Sequence, residues 1–486
     1  MKKGKVFLIL FTVFFLFTFS CSDDNTGNEL PLDSNLNDSE KINKFIVESI
    51  EEVYLWESET DWEKYNKRST FAEYSDHYKL FDELIYKKDD HWSSLTDDID
   101  GLENEFGGVS TTFGYTLSLY RLSSTDDVVA VILYTSPGSP AENAGLKRGD
   151  IIFEINGEKI VERNYLYLYY AESIIVRCCT INADTKIIEP LPDTKRLVAV
   201  NMYENPVNDY RIIEKDGHKI GYLCYTGYQI ESEKELISIF SDFKLAGVED
   251  VVLDLRYNPG GYSRTAQMLS SILAPESEVK NKSVYLEHHY NNLYTNYYKS
   301  EGRELNERFI DTLSVNMNLQ RLYVLTSNRT ASASEATIVG LDPYLDLIQI
   351  GGATSGKYCG GILLSPEDIY GRDNKYYYIN ISNWGMYIMI YRFANIKGIS
   401  SFTSGLVPDI PAEEEVFNLK PFGDEADPLL GRALAHILNK EFVEQRSVKK
   451  SIPVIQMADI KRNSEGLMIS TPSSLPILST PRQISK

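Results

Sequence analysis

Three segments of the chain carry residues whose types and spacing suit nucleophilic catalysis. The first is Thr330-Ala331-Ser332-Ala333-Ser334-Glu335, which follows the apolar stretch 322–326 and precedes a helical pattern. A serine at such a junction exposes its hydroxyl beside unpaired helix N–H groups, which favour developing negative charge. Ser332 and Glu335 also have the spacing of a capping box, so this segment by itself favours a structural N-cap.

The second segment is Asp254-Leu255-Arg256-Tyr257-Asn258-Pro259-Gly260-Gly261, which directly follows a predicted buried strand. Paired glycines allow the backbone to turn sharply and to point N–H groups outward, as an oxyanion site requires. A strand followed by a Pro-Gly turn is more often structural, so this segment is also a weak signal when taken alone.

The third segment is Gly351-Gly352-Ala353-Thr354-Ser355-Gly356-Lys357, which follows a predicted strand at 347–350 and has no acidic residue nearby in sequence. A lysine acts as a general base only when it is neutral. At its ordinary pKa of about 10.4, neutrality at pH 7 costs roughly 4–5 kcal/mol. Burial away from carboxylates lowers that cost, which favours a base at Lys357, although an exposed loop lysine has the same sequence pattern.

A further region, residues 136–160, has the features of a small β-rich module. Ser139 and Pro140 predict a helix start, Gly145 predicts its end, and the strand 151–155 is followed by the hairpin turn Asn156-Gly157. The order Ser-Pro-Ala-Glu-Asn-Ala-Gly-Leu-Lys-Arg-Gly-Asp-Ile-Ile closely resembles the corresponding stretch of PDZ domains in bacterial proteases.

Taken together, the PDZ-like stretch and the three segments resemble the carboxy-terminal processing (tail-specific) serine proteases. The resemblance covers about residues 107–410 and includes Gly405-Leu406-Val407-Pro408-Asp409-Ile410, which is similar to the closing motif of that family. It implies a serine endopeptidase that cuts exported proteins near their C-termini by acyl transfer. No metal and no cofactor are implied, and the partners are protein or peptide substrates with free C-termini.

The resemblance also implies individual roles. Ser332 maps to the nucleophile and Lys357, 25 residues later, maps to the base. The Ala333 N–H and a glycine of the Gly260-Gly261 pair map to the oxyanion hole. Within the PDZ-like module, Phe113-Gly114-Tyr115-Thr116 is similar to the loop and strand whose N–H groups hold a peptide's terminal carboxylate. A structural sandwich without a ligand is the alternative for this module.

One position departs from the family pattern. Many members carry a glutamine four residues after the lysine, where this chain has Gly361, so what orients Lys357 is left open. His288 and His289 are predicted to be surface residues and not a replacement. Two other functions stay possible: a non-catalytic tail-binding receptor and a crotonase-type acyl-CoA enzyme, which the PDZ-like stretch, Ser332 and the export signal disfavour.

The elements that must position these residues predict a multi-domain α/β protein. Apolar spacing of three and four residues predicts a helical N-terminal domain at 42–106, followed by the PDZ-like β-rich module at 107–200. Alternating strands and helices predict an α/β protease core at 201–442, which the resemblance relates to the crotonase and Clp-protease-like fold. The polar, proline-containing tail 443–486 is predicted to be disordered. Asp89, Asp90 and His91 are interpreted as a loop and not as a metal site.

The N-terminus predicts export. Three lysines precede an apolar run that is too short to span a bilayer comfortably, so residues 1–20 are interpreted as a lipoprotein signal. Cys21 stands where such signals place the lipidated cysteine, and the acidic stretch 21–41 predicts a solvated tether. We therefore expect a lipoprotein anchored to a membrane of the bacterial cell envelope, facing the periplasm or the surface.

Charge and cysteine content narrow the classes further. The chain has 49 basic and 70 acidic residues, a formal net charge of −21, which argues against nucleic acid or an anionic bilayer as the main partner. Beyond Cys21, the cysteines Cys178, Cys179, Cys224 and Cys359 have neither a disulfide framework nor metal-ligand spacing. We expect these four to be small buried side chains.

Overall fold

The computed structural model describes residues 36–65, 68–123, 127–182, 185, 187–442, 454–457 and 467–470. The predicted export signal, Cys21 and most of the tether lie outside these ranges and remain predictions. No helix within the described ranges is long and apolar enough to cross a membrane. From Asp38 onward the described residues belong to one compact unit.

The N-terminal region is helical, as its spacing predicts. It contains α1 (Asp38–Val53), α2 (Trp62–Tyr65), α3 (Arg68–Glu73), α4 (His77–Leu84), β1 (Ser94–Thr96) and α5 (Ile99–Phe106). The apolar positions of α1 are buried, including Phe45 and Ile50. Asp90 is a structural acceptor: its carboxylate accepts hydrogen bonds from the Trp92 and Ser93 N–H groups and, at 2.9 Å, from the Tyr54 hydroxyl.

The PDZ domain is an antiparallel sheet with short helices. Its elements are β2 (Val109–Thr112), β3 (Tyr115–Leu122), β4 (Val128–Thr135), α6 (Pro140–Asn143), β5 (Ile151–Ile155), β6 (Glu158–Lys159), α7 (Tyr167–Tyr170), β7 (Ser173–Ile181), β8 (Ile188–Val198) and β9 (Val200–Tyr203). The main sheet has the order β3-β4-β5-β7-β8, and β2 pairs with β9. The Ser139 hydroxyl caps α6 by accepting from the Glu142 N–H, as its sequence predicts.

The protease core is an α/β layer with two sheets. Its elements are β10 (Val207–Lys215), β11 (His218–Tyr225), α8 (Glu233–Ala246), β12 (Asp250–Asp254), β13 (Gly261–Tyr262), α9 (Ser263–Leu273), α10 (Glu276–Lys280), β14 (Val284–Tyr290), α11 (Asn292–Ser300), β15 (Asn306–Arg308), β16 (Arg321–Thr326), α12 (Ala333–Leu341), β17 (Asp346–Gly351), β18 (Cys359–Leu364), α13 (Pro366–Tyr370), α14 (Lys375–Tyr378), β19 (Gly385–Ala394), β20 (Ile410–Pro411) and α15 (Pro428–Ile437).

The first core sheet has the order β10-β11-β12-β16-β17-β20, and all its neighbours are parallel except β10 and β11. Val251 and Leu253 pack with α8 and α9 on one face, while Val252 packs with α15 on the other. Because both faces are covered, the strands are continuous apolar runs. The carboxyl ends of β12, β16 and β17 lie at one edge, where the three chemistry-bearing segments begin.

The prediction of disorder for the tail 443–486 is wrong for two described segments, which are strands, β21 (Val454–Gln456) and β22 (Met468–Ile469). Apart from Met457, Leu467 and Ser470, the rest of the tail lies outside the described residues, and there the prediction stands untested. Strand β21 pairs with β3 of the PDZ domain, and β22 lies between β13 and β18 of the second core sheet, whose order continues β18-β19-β14-β15. Composition indicated a polar tail, but it contained no information on the free strand edges that these short apolar stretches cover.

A buried ion network joins the PDZ domain to the core. Arg256, of the Asp-Leu-Arg sequence, is 1% exposed and donates to Asp254, Glu414 and Asp427. Arg148, which follows α6 in the PDZ domain, also donates to Glu414. Burial raises the pKa of Glu414, but the Arg256 and Arg148 guanidinium groups outweigh it and hold the pKa below its usual value. Arg256 therefore fixes the position of the residues that begin the Pro-Gly-Gly turn.

Candidate active site

Ser332 lies at the junction of β16 and α12, as predicted, in a strained backbone conformation. Its φ is 62° and its ψ −113°, a left-handed region that residues other than glycine rarely adopt. The N-cap prediction is confirmed for the backbone, since Ser332 is the N-cap residue of α12 and Glu335 accepts from its N–H as in a capping box. The side chain is fully buried, and its hydroxyl has no hydrogen-bond partner among the described residues.

The serine segment is bound to the Pro-Gly-Gly turn by hydrogen bonds. The Thr330 hydroxyl donates to the Leu255 carbonyl at 2.8 Å. The Asn258 carbonyl accepts from the Ala331 N–H and from the Ser334 hydroxyl, both at 3.1 Å. Thr330 and Ser334, on either side of Ser332, thus attach the serine segment to the Pro-Gly-Gly turn through their hydroxyl groups. The Ser332 hydroxyl makes no such bond.

Gly260 and Gly261 have φ values of +114° and +130°, which only glycine adopts without strain. A Cβ on Gly260 would lie 2.8 Å from the Ser332 Cβ and 3.1 Å from the Ala333 nitrogen. A Cβ on Gly261 would lie 2.3 Å from the Tyr228 carbonyl oxygen. Both glycines are required because the turn contacts the nucleophile segment directly.

The N–H groups of this turn are not equivalent. Gly260 donates its N–H to the Asn258 side chain at 2.9 Å. Gly261 donates its N–H to a peptide carbonyl, that of Leu467, at 3.0 Å. Ala333 is the first residue of α12, so its N–H has no partner within the helix. Of the two glycines, Gly261 is the better placed to form an oxyanion site together with Ala333.

Lys357 follows β17 and is fully buried. Burial lowers the pKa of its ammonium group to about 7. Its Nζ donates to the Tyr387 hydroxyl at 3.2 Å and lies 5.6 Å from the centre of the Trp92 ring. The sequence argument for a lysine that is neutral near pH 7 is therefore supported by an apolar, aromatic environment.

Tyr387 is a site residue that the sequence analysis missed. It lies on β19, and its hydroxyl contacts Lys357. In the family pattern a glutamine orients the lysine, and that glutamine stands at the position of Gly361. A side chain at Gly361 would come within 2.8 Å of the Tyr387 ring and 2.5 Å of the Ile388 carbonyl. The ring thus occupies the space that a side chain at 361 needs, which explains the departure. Nothing local to Tyr387 marks it in a chain with 33 tyrosines.

A single buried carboxylate joins the serine and lysine segments. Glu335 accepts four hydrogen bonds: from the Ser332 and Gly356 N–H groups and the Thr354 hydroxyl, all at 2.6 Å, and from the Lys357 N–H at 3.0 Å. Burial raises the pKa of Glu335 to about 7, while these donated bonds act in the opposite direction. Through this carboxylate the backbones of nucleophile and base are held together.

The closing motif supports the lysine loop. The Thr354 hydroxyl also accepts from the Leu406 N–H at 2.7 Å, and the Thr354 N–H donates to the Leu406 carbonyl at 3.1 Å. Gly405 has a φ of +84°, and a Cβ there would lie 2.0 Å from the Thr354 carbonyl oxygen. The Gly-Leu segment is therefore a structural clamp on the loop that carries Lys357.

The predicted carboxylate loop of the PDZ domain is only partly open. Phe113, Gly114 and Tyr115 are buried, and the Gly114 N–H already donates to the Thr112 hydroxyl at 2.9 Å. Thr116 lines a cavity of about 100 Å³. Its walls include Tyr134 of β4 and Ser136, which follows β4, and on the other side Pro259, Gly260 and Gly261 of the Pro-Gly-Gly turn. Of the four predicted peptide-binding residues, Thr116 is the one that faces the catalytic centre.

Two other sequence expectations have clear outcomes. His288 is not a surface residue: it is buried on β14, its ring stacks on Tyr391 at 4.0 Å, and burial lowers its pKa to about 3. The strand pairing that buries His288 is not visible in local sequence. The four cysteines beyond Cys21 are buried and free, as expected, and the Cys359 Sγ lies 3.3 Å from the Met389 Sδ.

The α/β core, its PDZ domain and the site described above define a serine-type peptidase. Residues 219–412 match peptidase family S41, residues 131–169 match a PDZ domain, and residues 41–94 match the peptidase S41 N-terminal domain. The chain belongs to peptidase family S41, in the branch with a PDZ domain.

Similar proteins agree with this assignment. The chain is 25% identical over 324 residues to a carboxyl-terminal-processing protease of Picosynechococcus, covering 66% of this chain and 69% of that protein. It is 26% identical over 170 residues to the carboxy-terminal processing protease CtpB of Bacillus subtilis, covering 35% of this chain and 33% of that protein. Its fold is similar to a crystal structure from Bacteroides fragilis assigned to the S41 proteases, with a TM-score of 0.66 at 24% identity, covering 81% and 97% of the two chains.

Glu335→Gln tests the carboxylate that joins the two segments. A carboxamide has one acceptor oxygen, so two of the four donors would face an NH2 group. Since each buried donor without an acceptor costs about 1–3 kcal/mol, we expect the free energy of unfolding to fall by at least about 2 kcal/mol. Chemical denaturation measures this. The exposed Glu304→Gln, which loses a solvent-screened ion pair with Arg308, should leave the free energy of unfolding nearly unchanged. Equal effects of the two variants would contradict the assigned role of Glu335.

Proposed function

We propose that this protein is a serine endopeptidase of the carboxy-terminal processing type, which cuts proteins near their C-termini with Ser332 as nucleophile and Lys357 as general base. The observation that carries the proposal is the pairing of a buried serine hydroxyl without a partner and a buried lysine whose pKa is lowered to about 7. Glu335 binds the backbone N–H groups of both. Because Glu335 binds both backbones, the segments that carry Ser332 and Lys357 lie close together in space.

The reaction proceeds by acyl transfer. Ser332 Oγ attacks the scissile carbonyl carbon while neutral Lys357 accepts its proton, and the proton then passes to the leaving amine. The Ala333 and Gly261 N–H groups stabilise the oxyanion. Water, activated by neutral Lys357, hydrolyses the acyl-enzyme. Ser332 and Lys357 are not hydrogen-bonded to each other in this arrangement, so one of the side chains has to rotate before the proton is transferred.

Tyr387 takes the orienting role in this mechanism. Its hydroxyl donates its single proton to the Met468 carbonyl at 2.6 Å, so it can only accept from the Lys357 Nζ. A neutral lysine has two N–H donors and one lone pair. With one donor engaged by Tyr387, the position of the lone pair is restricted, which favours transfer of the Ser332 proton.

The first prediction concerns the dyad. We expect Ser332→Ala and Lys357→Ala each to lower peptidase activity about a thousandfold or more, and the double variant to be little worse, because the two residues act as one unit. New C-termini on an unfolded protein such as β-casein, identified by mass spectrometry, measure this. Ser334→Ala is the matched control, since its hydroxyl makes a structural bond to Asn258. Activity in Ser332→Ala with loss in Ser334→Ala would reverse the nucleophile assignment.

The second prediction concerns pH. Protonated Lys357 cannot accept a proton, so kcat/KM should rise with pH through about 7 and then level off. As the pH falls through the same range, Glu335 gains a proton and loses an acceptor position, so its protonation also lowers activity at low pH. A profile that continues to rise towards pH 10 would show that the base is an ordinary lysine.

Tyr387→Phe should lower kcat about tenfold with KM nearly unchanged, as expected for a positioning residue.

Substrate selection by the PDZ domain is part of this proposal. The edge of β3 takes extended segments by backbone hydrogen bonds, as β21 of the tail does at Tyr120–Leu122, and the start of the strand at Thr116 lines the cavity beside Gly260. A substrate tail bound there with its carboxylate near residues 113–116 lies next to the catalytic turn. Because the Gly114 N–H is engaged by Thr112, the carboxylate displaces that bond or uses the neighbouring N–H groups.

Matched peptides with a free or an amidated C-terminus test tail recognition. A Ser332→Ala chain that ends at residue 453, and so lacks the tail segments that pair with β3 and β13, is titrated with both forms, so that neither is cut. Loss of the terminal charge should weaken binding about ten- to a hundredfold, since charge-assisted hydrogen bonds contribute about 1.5–3 kcal/mol. Equal affinity for the two forms would limit the PDZ domain to internal extended segments.

A further inference from the structure

The C-terminal tail of the chain covers the predicted peptide-binding edge of the PDZ domain. Val454–Gln456 pairs antiparallel with the second half of β3, at Tyr120–Leu122. The Met457 N–H continues the pairing to the Leu119 carbonyl at 2.9 Å. Strand addition of this kind is how PDZ domains take extended peptides. Here the added strand belongs to the chain itself, and its direction leads towards the start of β3, beside the catalytic turn.

A second part of the same tail lies in the catalytic centre. Strand β22 adds to β13 on one side and to β18 on the other. The Leu467 carbonyl accepts from the Gly261 N–H at 3.0 Å, and the Ser470 N–H donates to the Gly361 carbonyl at 2.9 Å. The side chains of Leu467 and Met468 are 4% and 1% exposed. The tail thus lies as an extended peptide between two strands of the site.

The peptide bond after Leu467 is the one beside the nucleophile. The Leu467 carbonyl oxygen and the Ala333 nitrogen each lie 3.1 Å from the point that a Cβ on Gly260 would occupy, and the Ser332 Cβ lies 2.8 Å from that point. The next carbonyl, that of Met468, accepts from the Tyr387 hydroxyl, which in turn accepts from Lys357. The Leu467 carbonyl therefore contacts the Gly261 N–H and lies near Ser332, and the Met468 carbonyl contacts Tyr387, the partner of Lys357.

We propose that the C-terminal tail is a resident substrate of this active site, which the enzyme cleaves between Leu467 and Met468. The proposal rests on the proposed Ser332/Lys357 mechanism. Ser332 Oγ bonds to the Leu467 carbonyl carbon and gives its proton to Lys357. The bond to the Met468 nitrogen breaks, and that nitrogen takes the proton. One water molecule then adds to the acyl carbon, which leaves Leu467 with a free carboxylate and restores the Ser332 hydroxyl.

Attachment to the same chain makes this cleavage intramolecular. Nine residues, 458–466, connect the part bound to β3 with the part in the catalytic centre. A segment held at both ends is present at high effective concentration and blocks the centre to other substrates until it is cut. Cleavage removes Met468–Lys486 and leaves the segment on β3 attached to the enzyme.

Peptide mapping of the C-terminus tests the cleavage. Full-length wild type, purified and incubated at pH 8, should end at Leu467, and the Ser332→Ala chain should end at Lys486. Ser300→Ala, at an exposed serine that ends α11, is the matched control and should end at Leu467. A wild-type chain that keeps Lys486 as its terminus overturns the proposal, as does a terminus at Leu467 in the Ser332→Ala chain, which would assign the cut to another protease.

A pair of substitutions at Met457 tests the contribution of the PDZ edge. Met457→Pro removes the N–H that donates to Leu119, whereas Met457→Leu keeps it. We expect the rate of self-cleavage to fall about three- to tenfold in Met457→Pro and to be unchanged in Met457→Leu. Equal rates in the two variants would overturn the view that β3 holds the tail for cleavage.

A chain that ends at residue 453 separates this proposal from the proposed function. If it digests β-casein while the full-length wild type keeps its tail, the peptidase function stands and the tail is an inhibitor without being a substrate, which overturns the proposal. If the truncated chain, shown to be folded by circular dichroism, cuts neither β-casein nor a synthetic peptide of residues 454–470, the proposed function itself fails.

Discussion

The catalytic arrangement depends on one buried carboxylate. Glu335 is on the first turn of α12, and its two oxygens bind N–H groups of both the serine junction and the lysine loop. These segments follow β16 and β17, neighbouring parallel strands whose ends point in the same direction. The sheet brings the segments close, and the carboxylate fixes their separation. Without its four donors the carboxylate would have a large desolvation cost, so the loops and the carboxylate stabilise each other.

Burial is also what makes the lysine useful. Burial lowers the pKa of Lys357 to about 7, against the opposing effect of Asp90 and Glu335, so that the neutral form is accessible near neutral pH, and Tyr387 satisfies one of its donors. The glycine at 361 and the tyrosine at 387 belong together, because the ring fills the space that a longer side chain at 361 would need. The contact of Lys357 with Tyr387 is present where the family pattern has a glutamine, and under the proposed mechanism it orients the base.

Strand addition is the common mode of peptide contact in the molecule. The edge of β3 and the groove between β13 and β18 both accept short extended segments through backbone hydrogen bonds, and the tail of the chain occupies both. Because such contacts are made by the backbone, they accept many sequences. The buried network around Arg256 and Glu414 joins the PDZ domain to the Pro-Gly-Gly turn, so the two regions that contact the tail are held in a fixed arrangement.

The sequence by itself predicted the α/β core from local periodicity and turn chemistry, whereas it singled out Ser332, Lys357, Ala333 and the paired glycines through the resemblance of their linear order to a known family. The tertiary structure decided which of the two glycines presents its N–H to a carbonyl, that Tyr387 contacts the lysine, that His288 is buried and that part of the tail is ordered. Each of these depends on a partner distant in sequence. Strand pairing and side-chain packing bring such partners together, and no local pattern reveals which strand edge is free or which ring fills a gap.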